Sequence, residues 1–448
     1  MSTIAAVATG NVVSAIGIVR LSGEDSLAIA DRVFCPLNRV PLSLHPRRTM
    51  VYGAVCRCGG HTIDRCMAAA FSADASFTGE DSVEFYCHGS PVVLQMVLQE
   101  LFACGAVQAK GGEFTQRAFL NGKLDLTQAE AVIDLIEAET PQAAQNAVKQ
   151  LEGILGRQIA LLYDELLQIS SQFYAVVDYP DEDIEELTRQ QLAKTLADGA
   201  DQLAELLDTV QRGQILRNGV ATAIIGRPNV GKSSLLNALV GYERAIVTEL
   251  AGTTRDTVEE KTVVGGTLLR LIDTAGLRET DDRVERLGVE RARQAAQRAQ
   301  LVVLTLDGSQ PLSAEDRLAM EVAQLAPKQV VAVNKSDLPP AWELSEIPFA
   351  HVLRISAREG KGLRDLGEAI AALFPVGETG RLLTNARQVD AVRRAESAIR
   401  RGQAALDLTP DAVLTDVEEA LSALGELTGR TVKEDMVARI FERFCVGK

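Results

Sequence analysis

Residues 226–241 read GRPNVGKSSLLNALVG and follow the apolar stretch VATAIIG, which ends at Gly226. The first eight residues fit the pattern G-x-x-x-x-G-K-[S/T], with a strand before it and a helix after it, as a phosphate-binding loop requires. Backbone N–H groups of such a loop surround phosphate oxygens. Lys232 then reaches the β- and γ-phosphates, and Ser233 coordinates Mg²⁺. The stretch predicts a nucleotide site that includes Asn229, Val230, Gly231, Lys232, Ser233 and Ser234.

Strand-like stretches alternate with helical ones after this loop. LLRLIDTAG, LVVLTLDG, QVVAVNK and HVLRISA follow one another between residues 268 and 357. This alternation is typical of βαβ units and a parallel sheet. We therefore predict an α/β domain over residues 217–377.

The rest of the chain divides into an α+β part and two helical parts. Residues 1–120 contain strand-like stretches such as AIGIVRLSG and SVEFYC beside the helical stretch SPVVLQMVLQELFACG. Residues 121–216 and 378–448 are rich in helix formers. One apolar stripe at helical spacing is formed by Leu192, Leu196, Leu203, Leu207 and Val210. Because helical segments flank the α/β domain on both sides, we predict a multidomain α/β protein with that domain inserted in one helical domain.

Later motifs identify the base and the metal. DTAG ends a strand and brings Asp273 near the Mg²⁺ shell, with the Gly276 amide near the γ-phosphate. Asp337 of NKSD can accept two hydrogen bonds from guanine that adenine cannot offer, and the Ala357 amide of SAR can face guanine O6. AGTTRD supplies Thr254, the expected second Mg²⁺ ligand that senses the γ-phosphate. These motifs in this order resemble the Ras-like GTPase superfamily. The remaining expected GTP contacts are Thr248, Glu249, Leu250, Ala251, Gly252, Thr253, Thr274, Ala275, Asn334, Lys335, Ser356 and Arg358.

One position departs from the Ras pattern. Leu277 follows DTAG, where Ras-type enzymes carry a glutamine that orients water, and a leucine cannot form hydrogen bonds. Two residues offer compensation: Asn229, whose carbonyl oxygen could hold a monovalent cation, and Glu285, which could orient the water indirectly. A cation about 4 Å from the developing charge is worth roughly 4 kcal/mol at an effective dielectric near 20, which is about three decades in rate. The plain alternatives are a turn-forming asparagine and a solvated helix charge.

Composition restricts the class of protein. The 448 residues have a net charge of −15, which argues against coating nucleic acid by charge alone. The seven cysteines, an odd number without a secretion signal, indicate reduced thiols and a cytoplasmic protein. No apolar run approaches the roughly 20 residues of a membrane-spanning helix.

The flanking segments narrow the possibilities further. FTGEDSVEFYCHGS (77–90), GEFTQRAFLNGKLDLTQAEAVIDLI (112–136), DYPDEDI (178–184) and the terminal FCVGK, taken with the GTPase motifs, closely resemble the family of tRNA modification GTPases called MnmE or TrmE. The resemblance runs from end to end. It implies an N-terminal folate-binding and dimerisation domain, a helical domain with a C-terminal cysteine motif, and a Ras-like GTPase domain inserted in it.

The resemblance also implies an activity. The family is a homodimer that works with the FAD-dependent subunit MnmG, as a heterotetramer, on the wobble uridine of certain tRNAs. It adds a carboxymethylaminomethyl-type group at C5, with one carbon from a 5-formyl or 5,10-methylene tetrahydrofolate and the amino part from glycine or ammonium. Its GTP hydrolysis is stimulated by K⁺. The tRNA is reached through the complex.

Site residues carry over by motif. The family implies that K⁺ is held by Asn229, Thr248, the Leu250 carbonyl and Thr253, and Mg²⁺ by Ser233 and Thr254. Glu285 would orient the catalytic water, with Arg255 and Arg278 supporting the transition state or the switch segments. Folate would be held by Arg20, Glu84, Lys123 and Lys448, and Cys445 would supply a thiol to the uridine chemistry.

Some features leave alternatives open. The opening ATGNVVSAIG differs from the family's ATPPG-type start, and HGS stands where HGG is usual. His88 is interpreted as a loop or core histidine rather than a catalytic one. Cys445 has the position of a prenylation cysteine, but Lys448 is an atypical last residue, and a plain helix end is a further possibility. The competing function is an Era-like GTPase switch in ribosome assembly, against which stand the N-terminal module and the terminal cysteine.

Overall fold

A computed structural model describes residues 2–57, 60–178, 188–242, 260–272, 285–377, 379–407 and 410–431, and then residues 437, 440, 441, 444, 446 and 447. These residues belong to two compact units. The first comprises Met1–Ile133, Leu151–Ser171 and Leu421–Lys448, and the second comprises Asp134–Gln150 and Gln172–Ala420.

The first unit is built on a seven-stranded sheet. Its strands are β1 (Ile4–Val7), β2 (Ser14–Ser22), β3 (Phe34–Pro36), β4 (Val51–Cys56), β5 (Thr62–Phe71), β6 (Ser82–Gly89) and β7 (Val107–Gln108). The order across the sheet is β3-β4-β5-β6-β2-β1-β7, antiparallel except where β1 meets β7. Helices of this part are α1 (Ser26–Val33), α2 (Pro91–Ala103), α3 (Glu113–Leu120) and α4 (Leu126–Ile136).

One face of this sheet packs on α1 and α2, and its alternating residues form the core. Val19, Leu21 and Phe85 are fully buried there. The residues between them turn to the other face, because successive side chains of a strand alternate. That second face carries Ile16, Ile18 and Arg20 on β2 and Glu84, Tyr86 and His88 on β6, and these side chains are exposed or half-buried.

A row of small residues crosses the middle of the core face. The register places Gly53 opposite Cys66 and Gly17 opposite Cys87, and Cys66 lies across from Cys87 beside the Met67–Tyr86 pair. A Cβ on Gly17 would lie 2.5 Å from a methyl carbon of Leu94, so glycine lets α2 approach the sheet. A hydrogen bond between the two thiols, together with burial, raises the pKa of Cys87 well above its usual range.

The end of the chain packs inside the same unit. Phe441 and Phe444 are buried with Leu126 and Ala129 of α4. Val446 forms an antiparallel bridge with Gly111. Gly447 has a φ of +96°, and a Cβ there would lie 2.2 Å from the carbonyl oxygen of Val7. The residues around Cys445 therefore lie beside the end of β1.

The second unit contains a six-stranded sheet. Its strands are β8 (Val220–Ile225), β9 (Glu260–Val264), β10 (Thr267–Leu271), β11 (Leu301–Asp307), β12 (Lys328–Asn334) and β13 (Val352–Arg354), in the order β13-β12-β11-β8-β10-β9. All neighbours are parallel except β9 and β10. The predicted alternation of strands and helices is therefore confirmed, and β9 adds an antiparallel edge that the sequence interpretation did not include.

The helices that follow in the described residues are α5 (Pro141–Leu151), α6 (Ile154–Asp178), α7 (Arg189–Leu207), α8 (Val210–Asn218), α9 (Lys232–Tyr242), α10 (Glu285–Arg298), α11 (Ala314–Ala323), α12 (Leu363–Leu373), α13 (Ala386–Ala404) and α14 (Pro410–Thr428). Helices α8, α9, α10, α11 and α12 contact strands of the six-stranded sheet, whereas most of α6 belongs to the first unit. α7 starts at a capping box between Thr188 and Gln191, and its predicted stripe buries Leu192, Leu196 and Leu203. Among the described residues, no helix is both long and apolar enough to cross a membrane.

Candidate functional site

The phosphate-binding loop lies between the end of β8 and the first residue of α9. Asn229 has a φ of +63° and Gly231 a φ of +99°. A Cβ on Gly231 would lie 2.2 Å from Nδ2 of Asn334. The loop therefore needs glycine at this point, because it combines a left-handed backbone with close packing on the end of β12.

Lys232 begins α9, and its ammonium group lies within the loop. Nζ donates hydrogen bonds to the carbonyl oxygens of Gly226 and Arg227, both at 2.8 Å. Burial, and then the nearby charge of Arg227, lower the pKa of Lys232. An anionic phosphate would oppose both effects by favouring the charged form. Ser233 and Ser234 follow in the first turn of α9, where both are exposed.

Asn334 connects the phosphate-binding loop with the loop after β13. Its Nδ2 donates to the carbonyl oxygen of Val230 at 2.9 Å, and its Oδ1 accepts from the amide of Ala357 at 3.0 Å. The side chain is buried. One side chain thus fixes the distance between the segment predicted to hold phosphates and the segment predicted to read guanine O6.

Asp337 is held by the neighbouring serine. The hydroxyl of Ser356 donates to Oδ1 of Asp337 at 2.7 Å. This hydrogen bond is the main reason that the pKa of Asp337 is lowered, and the charge of Arg358 acts in the same direction. The ionised carboxylate can only accept hydrogen bonds, as reading the donor edge of guanine requires.

Asp307 belongs to this group and was missed by the sequence interpretation. It ends β11, and its Oδ2 accepts from Nζ of Lys335 at 2.7 Å. Burial acts to raise the pKa of Asp307, but hydrogen bonds from Lys335 and Ser309 outweigh it and lower the pKa. Lys335 has a φ of +66°. Its ion pair therefore stabilises a turn in the left-handed region, which non-glycine residues rarely adopt. An aspartate at the carboxyl end of a buried parallel strand was the available signal.

In the sequence, the predicted γ-phosphate segments flank one β-hairpin, although both segments lie outside the described residues. β9 begins at Glu260, four residues after Asp256, and β10 ends at Leu271, two residues before Asp273. The hairpin turns at Gly265 and Gly266, which both have positive φ. Nζ of Lys261 on β9 pairs with Oε1 of Glu139 at 2.6 Å. This ion pair therefore anchors the start of the hairpin.

Much of the predicted hydrolytic machinery lies outside the described residues. The backbone of Glu285 opens α10, but its side chain is not among those described. The other predicted residues that fall outside are Thr248, Glu249, Leu250, Ala251, Gly252, Thr253, Thr254, Arg255, Asp273, Thr274, Ala275, Gly276, Arg278, Cys445 and Lys448. The described part contains the loops predicted to read guanine and to hold the phosphates.

A second group of predicted residues meets on the open face of the seven-stranded sheet. Arg20 and Glu84 are directly opposite on β2 and β6, with Nε and Oε1 at 2.8 Å. The hydroxyl of Tyr86 donates to the other oxygen of Glu84 at 2.6 Å. Burial, and then this hydrogen bond, raise the pKa of Tyr86 to about 12. Tyr86 therefore remains a donor at neutral pH and, with Arg20, fixes the orientation of the Glu84 carboxylate.

The loop of residues 72–80 brings Lys123 to the same region. Nζ of Lys123 donates to the carbonyl oxygen of Asp74 at 2.6 Å. Phe77 of this loop lies with its ring centroid 5.7 Å from the Arg20 guanidinium carbon, and Phe114 approaches it from α3 at 5.6 Å. The structure thus brings Arg20 and Glu84 into contact and attaches Lys123 to the loop that covers Arg20.

The buried side chain of Arg117 holds the end of this loop through Glu80. Arg117 on α3 donates to both carboxylate oxygens of Glu80, at 3.1 and 2.9 Å, and to Oε1 of Glu113 at 2.9 Å. Oε2 of Glu80 also accepts from the hydroxyl of Ser22 at 2.8 Å. Sequence reasoning gave Arg117 no role, because only the fold shows that it is buried between two carboxylates.

Gly447 lies near the strand that pairs with Arg20. The register pairs Val7 with Val19 and Ala6 with Arg20. Gly447 packs on Val7, which is therefore one residue along β1 from the partner of Arg20. His88 is placed differently from the interpretation of a loop or core histidine. It lies on β6, on the open face, and its side chain is 73% exposed.

Comparisons with known proteins cover the whole chain. Residues 3–123 match the family described as GTP-binding protein TrmE N-terminus, and residues 126–445 match the family described as MnmE helical domain. A protein named tRNA modification GTPase MnmE from Symbiobacterium thermophilum is 43% identical over 455 residues, 100% of this chain and 99% of the relative. Proteins of the same name from Streptococcus gordonii and Lactococcus lactis subsp. cremoris are 41% and 43% identical, each over 100% of this chain and 98% of the relative.

A solved structure gives a much weaker likeness. The crystal structure of bacterial selenocysteine-specific elongation factor EF-Sec aligns with 34% of this chain and 28% of that chain, at 18% identity and a TM-score of 0.25. A likeness of this size says nothing about function.

Proposed function

This chain belongs to the family of tRNA modification GTPases MnmE, and from that premise we propose that it uses GTP hydrolysis to drive modification at C5 of the wobble uridine of certain tRNAs. A GTPase in tRNA modification follows from the family itself. The proposal adds the chemistry: a carboxymethylaminomethyl-type group whose first carbon comes from tetrahydrofolate. The Arg20–Glu84–Tyr86 arrangement on an open sheet face is the observation that carries it.

The proposed GTP site has a base end and a phosphate end. Asp337 reads the N1–H and amino group of guanine, and the Ala357 amide faces O6. Lys232 neutralises the β- and γ-phosphates, while the exposed Ser233 at the start of α9 coordinates Mg²⁺ with Thr254. Asn334 supports the assignment, because its two hydrogen bonds hold both ends of the site at a fixed separation.

K⁺ is the proposed substitute for the missing water-orienting glutamine. Leu277 cannot bind water, and Asn229 presents its amide from a left-handed position in the phosphate loop. Thr248, the Leu250 carbonyl and Thr253 complete the proposed K⁺ ligands. The ion supplies positive charge beside the leaving phosphate when bound. Glu285 orients the attacking water, with Arg255 and Arg278 as supporting residues.

The proposed folate site lies on the second face of the seven-stranded sheet. A pterin presents adjacent N–H donors, and the fixed carboxylate of Glu84 offers an acceptor for them. Lys123 and Lys448 complement the carboxylates of the folate tail. Folate supplies an activated one-carbon unit when bound. Val446 and Gly447, which follow Cys445 in the sequence, pack beside Gly111 and Val7, and this position of its neighbours supports a thiol that reaches the same face.

The proposed assembly follows the family. The chain acts as a homodimer together with the FAD-dependent subunit MnmG, and tRNA is reached through that complex in the cytoplasm. We also propose the domain arrangement given by the sequence, with residues 217–377 inserted between helical parts 121–216 and 378–448, after an N-terminal domain of residues 1–120.

One experiment tests the function directly. In cells that lack this protein, nucleoside analysis of tRNA should show wobble uridines without the C5 substituent. Expression of the natural chain should restore it, whereas the Lys232→Ala variant should not, because it cannot bind or hydrolyse GTP normally. Normal modification in the deleted strain, with ribosomes accumulating as unassembled subunits, would instead favour the Era-like alternative.

A further inference from the structure

An Asp–His pair lies at one end of the open sheet face. Nδ1 of His88 lies 2.8 Å from Oδ1 of Asp64, and the backbone N–H of His88 donates to Oδ2 of the same carboxylate at 2.8 Å. Oδ1 also accepts from the amide of Arg65 at 2.8 Å. Asp64 is only 10% exposed, whereas the ring of His88 is 73% exposed. A fixed carboxylate thus holds an imidazole that faces solvent.

Two β-bulges lie beside this pair. On β5, Asp64 pairs with Val55 and Thr62 pairs with Cys56, so Ile63 is an extra residue. Ile63 packs against the same core as Cys66, Ala68 and Ala70. The extra residue lies directly beside Asp64, whose carboxylate accepts the backbone N–H of His88 and contacts its ring. On β2, Ala15 is an extra residue between the partners of Gly89 and His88. Bulges often re-aim side chains next to active sites.

The pair shares its face with the proposed folate site. Glu84, Tyr86 and His88 alternate along β6, so all three side chains leave the sheet on the same side. Four residues of a strand span about 13 Å at about 3.3 Å per residue, and Tyr86 lies halfway. A ligand held at Glu84 by its donor edge can therefore extend along β6 toward the imidazole.

The chemistry of the pair defines its use. A carboxylate only accepts hydrogen bonds, so Nδ1 of His88 donates to Asp64 and Nε2 of the neutral ring carries the lone pair. Oriented imidazoles of this kind serve as general bases and acids. The His88 side chain is 73% exposed, so its ring can exchange a proton with a bound ligand or with solvent.

We propose that His88 is the proton-transfer residue for the amine that joins the one-carbon unit, with Asp64 as its positioning residue. The protonated amine, R–NH₃⁺, gives one proton to Nε2 of neutral His88 and becomes R–NH₂, whose lone pair then attacks the activated carbon. The imidazolium keeps the proton until it returns it to a leaving nitrogen or to water. This inference rests on the proposed function, because it assigns a step within the same one-carbon chemistry.

The test compares variants in the reconstituted modification assay with the full chain, its FAD-dependent partner, tRNA and methylene-tetrahydrofolate. His88→Ala and His88→Gln should each lower kcat by about 10²-fold or more, the usual contribution of a general acid or base. The KM for the amine should stay within a few-fold. Added imidazole should restore the kcat of His88→Ala, because the alanine leaves space for it, but should not restore the kcat of His88→Gln. Asp64→Asn should lose on the order of tenfold, since the ring remains but its orientation is lost.

Readouts besides activity separate proton transfer from a structural role. 5-formyltetrahydrofolate should bind both His88 variants with an affinity within about threefold of the natural chain. In ¹⁵N-histidine-labelled protein, the signal of His88 is the one that His88→Gln removes. Asp64→Asn should change the tautomer of the His88 ring, which that signal reports. The control variant His45→Gln, at a half-buried histidine outside the strands of the sheet, should behave like the natural chain in every assay.

The outcomes are distinct. No modification by the natural chain would refute the proposed function. A natural chain that modifies tRNA, beside His88 variants within threefold of it, would overturn the present inference alone. The inference would also be overturned if added imidazole did not raise the kcat of His88→Ala. A loss of kcat accompanied by an equal loss of folate affinity would overturn it as well.

Discussion

Replacing Asn334 should uncouple the two ends of the GTP site. In Asn334→Ala, the buried carbonyl of Val230 and the half-buried amide of Ala357 both lose their partner. An orphaned buried group costs about 1–3 kcal/mol and the half-buried amide adds less, so the free energy of unfolding should fall by about 1–4 kcal/mol. GTP affinity should fall at least about tenfold, because nucleotide binding must then also fix the separation of the two loops. Urea unfolding and titration with a fluorescent GTP analogue measure the two quantities.

Asn334→Asp sharpens this test. It keeps the acceptor for Ala357 but turns an oxygen toward the carbonyl of Val230, so it should be at least as damaging as alanine despite its equal size. Asn237→Ala, at an exposed position of α9, serves as the control and should change stability by less than about 0.5 kcal/mol. An aspartate variant with natural stability and natural GTP affinity would refute the role given to the Val230 contact.

Three further predictions concern other parts of the chain. GTP hydrolysis should be much faster in KCl than in NaCl at equal ionic strength, and Asn229→Gly, which keeps the left-handed backbone but removes the amide oxygen, should abolish that difference; equal rates in both salts for the natural chain would reject the K⁺ site. Arg117→Met should lower the free energy of unfolding by about 3–5 kcal/mol, because it leaves two carboxylates uncompensated, whereas Arg430→Met, which breaks a more exposed pair, should cost less than about 1 kcal/mol; similar losses in chemical unfolding would contradict this difference. Cys445→Ser should leave K⁺-stimulated GTP hydrolysis near that of the natural chain but abolish wobble-uridine modification, and a serine variant that modifies tRNA normally would return this residue to a plain helix end.

Local sequence sufficed for the parts of the fold that local interactions specify. The loop at Gly226–Ser233 was predictable because its glycine, lysine and serine stand at fixed spacing between a buried strand and a helix. The same holds for the stripe of α7, whose buried leucines repeat at helical spacing. The family resemblance added Arg20 and Glu84, which are 64 residues apart and meet only through the pairing of β2 with β6.

Residues that act through long-range register were not predictable. Asp307 ends β11 and Lys335 follows the last residue of β12, so their ion pair depends on the two strands ending together. Asp64 lies beside an extra residue in β5, and alternation with Cys66 and Ala68 predicts a core position for it rather than a contact with His88. A bulge depends on how a neighbouring strand pairs, which a single stretch of sequence does not determine. His88 was therefore assigned to a loop or the core, although it projects from a strand.

The row of Gly53, Cys66, Cys87 and Gly17 also allows local opening of the seven-stranded sheet to be measured. Thiol reagents attack the thiolate, and the thiolate of Cys87 is disfavoured by its neighbour and by burial. Both sulfurs lie in the middle of a sheet under α2, so alkylation must wait until the strands separate. The labelling rate, divided by that of an unstructured cysteine peptide, gives the equilibrium constant for this opening. Cys35 is exposed on the edge strand β3, so it reacts without opening of the sheet and serves as an internal reference in the same sample. Mass spectrometry of the labelled protein can thus measure how often the strands of this sheet separate.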